Sequence, residues 1–157
     1  MEKEQLRFSE GSIGHTFSFF FLNSWLKIRL KTEPLKMKHT AKSIRAFIGA
    51  INFEESCQFY SELGFEESII SKDMSYFKVT DTLGFYLQNS YVKDWVDNTM
   101  IFLEVDDVNT HWKELQELGL PQKYKAVRLT DIKEENWGKE CFLHDPSGIL
   151  WHFGEFY

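Results

Sequence analysis

The sequence predicts an α+β fold of two tandem βαβββ modules whose mixed sheets curl around a cleft. Three observations lead there. A shift of 55 positions lays Arg45–Phe65 over Met100–Leu120, pairing Ala50 with Val105, Tyr60 with Leu115, Leu63 with Leu118 and Gly64 with Gly119. Each copy reads as an apolar strand, a short acidic turn, an amphipathic helix and a glycine where the helix stops. Each copy then closes on a glycine-led apolar strand, Gly84–Gln88 in the first and Gly148–Phe153 in the second. Two copies are too few for a solenoid, so the period marks a duplicated module. Module one spans about 43–90 and module two about 98–157.

The elements follow in order. Residues 45–50 form the first strand, and Glu54–Leu63 the first helix, with Phe59, Tyr60 and Leu63 on one side. Residues 100–105 repeat the strand, and Val108–Leu118 repeats the helix with Trp112, Leu115 and Leu118. The last stretch, 135–156, reads as strand, tight turn, strand. Its turn is Asp145-Pro146-Ser147-Gly148, where proline fixes φ and glycine is free to take φ > 0. Residues 1–36 belong to neither module and are expected to be a poorly ordered extension or an upstream mis-start, with Met37 as the natural beginning. Their apolar patch, 17–22, is far shorter than the ~20 residues a spanning helix needs, and no clear signal-peptide pattern accompanies it.

Alternation divides each strand into two faces. Ala46, Ile48 and Ala50, then Ile101, Leu103 and Val105, then Phe85 and Leu87, then Trp151 and Phe153 make one apolar face for the helices to cover. The opposite face is mixed. It carries Arg45, Phe47, Tyr86, Gln88, Met100, Phe102, Glu104 and His152. So many large apolar groups on a wet face would form an unfavourable exposed patch, which points to a concave, ligand-lined surface.

Composition narrows the function classes. The chain is 43% apolar and 17% aromatic, enough to bury a core in 157 residues. Residues 37–157 hold twelve basic against twenty acidic side chains, a net of −8. That balance disfavours nucleic acid as a partner and suits a cationic small molecule. Cys57 and Cys141 give neither a disulfide framework nor a metal spacing, and read as reduced thiols of a cytoplasmic protein. No stretch suits a membrane span.

From about Ser43 onward the chain resembles the vicinal oxygen chelate superfamily, which joins glyoxalases, extradiol dioxygenases, fosfomycin-resistance enzymes and bleomycin-resistance proteins. The motifs are Phe59-Tyr60…Leu63-Gly64-Phe65, Asp97-Asn98-Thr99, Trp137-Gly138 and the Asp145–Gly148 turn. Trp137-Gly138 and the Asp-Asn-Thr step point to the bleomycin-resistance branch. The resemblance implies a homodimer and a role in antibiotic resistance. It also implies four positions that hold a divalent metal in the enzymes, here Arg45, Tyr86, Met100 and His152. Arginine cannot ligate, methionine is a soft thioether and a phenol is a reluctant ligand. Only His152 is a competent donor, so neither a metal nor any other cofactor is expected.

What the resemblance leaves is binding. Trp137 falls where the branch stacks a tryptophan on the drug, and the second stacking aromatic falls at Met74, with Tyr76 two residues on. Glu104, Gln88 and Tyr86 would supply hydrogen bonds. Alternatives stand beside these roles. Trp137 either stacks on a ligand or fills a subunit interface. Arg45 either faces the cleft or pairs with Glu104, and His152 is expected to bond a backbone carbonyl. Trp95 serves as a lid or a loop anchor, and His111 faces solvent. The leading reading is a non-catalytic protein that sequesters a small aromatic, cationic, bleomycin-like compound. The alternatives are a metal-dependent glyoxalase-type lyase or isomerase, and a regulatory or interaction domain using the same cleft.

Overall fold

Two helix starts and two helix stops repeat at the 55-residue shift and set the architecture. In a computed structural model, residues 36–157 are described, and the expected extension 1–36 lies outside them save for Lys36. The chain divides into two units at Thr40/Ala41. Of the first, residues 36–40 are exposed and carry no regular element. The second unit contains all the strands and helices that follow.

Its first half runs β1 (Phe47–Gly49), α1 (Phe53–Glu62), β2 (Glu66–Ser71), β3 (Met74–Lys78) and β4 (Gly84–Gln88). A short α2 (Lys93–Val96) leads to the second half. There β5 (Met100–Glu104), α3 (Val108–Leu118), α4 (Leu120–Lys123), β6 (Arg128–Leu129), β7 (Lys133–Glu135), β8 (Gly138–His144) and β9 (Leu150–Phe156) follow. The first sheet is ordered β1-β4-β3-β2 and the second β5-β9-β8-β6, with β7 also on β8. In both, the opening strand pairs parallel with the closing strand and the rest is antiparallel. The two halves are thus the same βαβββ module, and neither sheet closes on itself. The interrupted edge of the second, β6 and β7, stands where the first has the single strand β2. The closing strand of module two begins at Leu150 and runs to Phe156, past the expected Phe153.

Local chemistry explains the repeats. Asn52 caps α1 by accepting from the Glu55 amide at 3.2 Å, and Asp107 caps α3 by accepting from Asn109 and Thr110 at 2.9 and 3.3 Å. Gly64 and Gly119, paired by the shift, end the helices at φ 96° and 63°, where a side chain would be strained.

The core sides of both sheets meet over the helices in one cluster that includes Phe59, Tyr60, Phe77, Phe85, Leu143, Trp151 and Phe153. A polar knot lies inside it. The Tyr60 hydroxyl donates to Asp145 Oδ2 at 2.7 Å and accepts from Trp151 Nε1 at 3.2 Å. Asp145 Oδ1 accepts from the amides of Ser147 and Ile149, each at 2.8 Å. Ser147 Oγ accepts from the Ile51 amide at 2.9 Å and meets Ser56 Oγ at 3.2 Å. Burial pushes the Asp145 carboxyl up to about 6 against the pull of its donors, and pushes the Tyr60 phenol well above its ordinary range.

His111 departs from expectation. It is half-buried, its ring centre 4.6 Å from that of Phe153 on β9. Burial lowers its pKa from the ordinary histidine value, opposed by Glu114.

Two outcomes follow from the core. Asp145→Ala strands the Tyr60 hydroxyl and two buried amides, so chemical denaturation should show a loss of about 3 kcal/mol or more. For His111, the unfolded chain takes up a proton before the folded one as pH falls. Its contribution is therefore present above the ordinary histidine pKa and is lost as pH drops through the depressed folded value. Between pH 7 and 5 the wild type should lose more unfolding free energy than His111→Phe, measured by urea titration at both values.

Candidate functional site

The outward faces of the two sheets carry the expected site residues as two separate groups. On the first sheet, Phe47, Tyr86 and Tyr76 fall in one cross-strand row. Phe47 and Tyr86 stack with ring centres 4.5 Å apart, and Tyr76 lies 5.2 Å from Tyr86. The Arg45 guanidinium sits 4.6 Å over the Tyr76 ring and donates to the Tyr86 hydroxyl at 3.4 Å. That hydrogen bond is the main reason its pKa is raised. Gln88 and Met74 form the neighbouring row with Gly49. Met74 therefore shares a face with Tyr76, as the alternation predicts.

On the second sheet, Phe102, His152 and Phe142 form a row, and Glu104, Gly154 and Glu140 the next. Phe102, Trp137 and Phe156 build an aromatic triad with centres 5.9, 5.6 and 5.1 Å apart. All three remain more than a third exposed. Two glycines make the triad possible. A β-carbon on Gly154 would overlap the Phe102 ring, and one on Gly138 would overlap the Glu155 carbonyl, so the Trp137-Gly138 step permits close strand approach. Met100 is also exposed, in a row with Leu150 and His144.

Of the two alternatives for Arg45 the ion pair is not formed, and the expected contact of His152 differs in the structure. Arg45 makes no ion pair with Glu104 among the described residues, because its guanidinium is held by the Tyr76 ring and the Tyr86 hydroxyl. His152 does not bond a backbone carbonyl. Its Nδ1 lies 2.9 Å from Oε2 of Glu140, a residue only 9% exposed. Sequence reading missed Glu140, Phe142 and Phe156. Alternation carried one strand further on each side of the Asp145–Gly148 turn would have put all three on the outward face.

A cavity of about 690 Å³ brings Arg45, Phe102 and Glu104 together. Ile44, Gly84 and Trp151 also line it, and its walls are mostly apolar. Its size falls in the range that holds small organic ligands. Trp95 is three-quarters exposed on α2 and outside this lining.

The four positions that the resemblance links to a metal do not fit one. Arg45 is a fixed cation, and Tyr86 is stacked on Phe47 and bonded to that cation. Met100 offers a thioether, and His152 is engaged by Glu140. Among the described residues no three His, Cys, Asp or Glu side chains are grouped to hold an ion. Cys57 and Cys141 are free thiols, with burial pushing them up to about 12 and about 11. Among the described residues no helix is long and apolar enough to cross a membrane.

No family model and no curated protein matches the sequence. Solved structures do match the fold. The bleomycin-binding protein of bleomycin-producing Streptomyces verticillus, complexed with copper(II)-bleomycin, is 20% identical at a TM-score of 0.64, over 77% of this chain and all of that one. An antibiotic binding protein, TnmS3, from Streptomyces sp. CB03234 is 16% identical at 0.61, over 76% of this chain and all of that one. The fosfomycin resistance protein FosX of Mesorhizobium loti is 9% identical at 0.54, over 73% and 91%. At these identities the likeness establishes the fold, that of the bleomycin-binding and glyoxalase/bleomycin-resistance proteins.

Gly154→Ala tests how the triad is built. The new methyl should displace the Phe102 ring while the strand pairing persists. Near-ultraviolet circular dichroism and tryptophan emission should change, with the far-ultraviolet spectrum kept. An unaltered near-ultraviolet spectrum would mean that Phe102 does not rest on Gly154.

Proposed function

We propose that the protein binds a small aromatic, cationic compound and sequesters it without transforming it. The observation that carries this reading is the exposed triad of Phe102, Trp137 and Phe156 beside Glu104. Three large rings are packed together at a water-facing surface, which is unfavourable unless another flat group covers them. Glu104 stands one row away to receive a positive charge, and the acidic balance of residues 37–157 favours approach of a cation. The fold shared with proteins described as bleomycin-binding and antibiotic binding supports the same reading.

The proposal leaves out a metal because of donor chemistry: a guanidinium, a stacked phenol and a thioether stand at three of the four positions. It includes a homodimer. In one chain the Phe47–Tyr76–Tyr86 face and the Phe102–Trp137–Phe156 face lie on different sheets, and among the described residues no aromatic contact, hydrogen bond or ion pair links them. A second copy would set one face against the other and enclose a ligand between them.

The test is a titration of the full chain with metal-free bleomycin, followed by tryptophan emission. The expected outcome is saturable quenching at one ligand per chain, weakened about tenfold or more in Trp137→Ala. An absence of quenching up to about 100 μM, equivalent to only about −5.5 kcal/mol, would exclude bleomycin as the ligand. Sedimentation of the same samples would report whether the binding species is a dimer.

A further inference from the structure

His152 and Glu140 form an arrangement on the outward face of the second sheet that aromatic stacking does not explain. Glu140 is nearly buried, and among the described residues its carboxylate has a single partner, Nδ1 of His152 at 2.9 Å. The imidazole stands edge-on to Phe142 at 4.8 Å, with Phe102 at 6.3 Å. Lys133 lies over the far side of this cluster, its ammonium 5.1 Å from the Phe142 ring. The His152 side chain keeps 23% of its surface exposed, and its Nε2 has no partner among the described residues.

A carboxylate on Nδ1 makes that nitrogen the donor, and in the neutral ring leaves Nε2 as an acceptor open to a ligand or water. The other histidines of the folded unit lack this device. His111 reaches Glu114 only at 4.0 Å, and His144 has an unpartnered Nδ1. A burial of Glu140 that served packing alone would be better met by an apolar side chain, since a buried carboxylate is costly to desolvate.

This inference rests on the aromatic-ligand reading above and narrows the ligand. The geometry points to Glu140–His152 as a site for an acidic hydroxyl carried on the aromatic ring, as in a phenol. With the ring against Phe102 and Trp137, the ligand O–H donates to Nε2. Should the proton cross, the imidazolium remains bound to Glu140 and the ligand oxygen accepts from Nε2–H. The same nitrogen–oxygen contact results in both cases, and no other bond is made or broken. Glu104, across Gly154 from Glu140, is then left for a positive group elsewhere on the ligand.

The experiment compares 4-nitrophenol with 4-nitroanisole, which presents the same ring with its hydroxyl capped by a methyl group. Each is titrated into the full chain and followed by tryptophan quenching. The wild type should bind the phenol about tenfold or more tighter, the range of a hydrogen bond to a charged group. His152→Phe should abolish the preference, so that the two probes bind the variant alike. Glu140→Gln should reduce the preference, because the imidazole is no longer held in one tautomer. Equal binding of both probes by the wild type, or a preference that survives in His152→Phe, would overturn the hydroxyl site and leave the aromatic reading standing. Binding of neither probe would likewise overturn the hydroxyl site, and the cationic aromatic reading keeps its own test in the bleomycin titration. The wild-type comparison decides even where a variant does not fold.

Discussion

The hydrogen-bonded knot of Tyr60, Asp145 and Trp151 is the constraint on which the rest depends. Tyr60 comes from the helix of module one; Asp145 and Trp151 come from the turn and closing strand of module two. Two modules that each bury one sheet face could slide over one another on apolar contacts alone, which have no direction. A buried phenol with two partners at fixed angles cannot slide. The carboxylate also organises its own turn by taking the amides of Ser147 and Ile149. One side chain thus sets the hairpin between β8 and β9 and ties that hairpin to α1.

Once the inner faces are pinned, the outer faces have no freedom. Strand alternation sends Phe85, Leu87, Trp151 and Phe153 inward, and so turns Tyr86, Gln88, His152 and Gly154 outward. A slip of one residue at β9 would exchange Trp151 with His152 and bury an imidazole where an indole now donates to Tyr60. The core knot therefore fixes the register of the outward-facing row on that strand. Gly154 then decides what the row can hold, because the missing β-carbon is the space occupied by the Phe102 ring.

Much of this is legible in the sequence because duplication and alternation are both periodic signals. The 55-residue shift aligns Gly64 with Gly119, and both take positive φ for the same reason. Alternation alone assigns Phe47, Tyr86, Phe102 and His152 to the outer faces. Contacts between strands remote in sequence leave no such trace. Glu140 meets His152 across a hairpin whose register depends on the turn, and a lone glutamate in a strand carries no mark of a partner. Arg45 finds Tyr76 instead of Glu104, since the ring lies on its own sheet and Glu104 on the other. His111 escapes the pattern because helical periodicity shows which face is apolar, not how far the edge of that face reaches over β9.

The two outer faces differ in a way that bears on selectivity. The first presents a guanidinium already satisfied by a ring and a phenol, so its charge is spread over its own sheet. The second presents carboxylates at Glu104 and Glu140, one exposed and one held by an imidazole. A flat ligand lying between such faces would meet rings on both sides and opposite charges at its margins. Stacking alone accepts any planar molecule, because every aromatic ring has two faces to offer. Discrimination must then come from the polar groups, which reject a ligand that leaves them unpaired. On the second face those groups are Glu104 and the Nε2 of His152. Affinity would reside in the triad, and choice of ligand in Glu104 and His152.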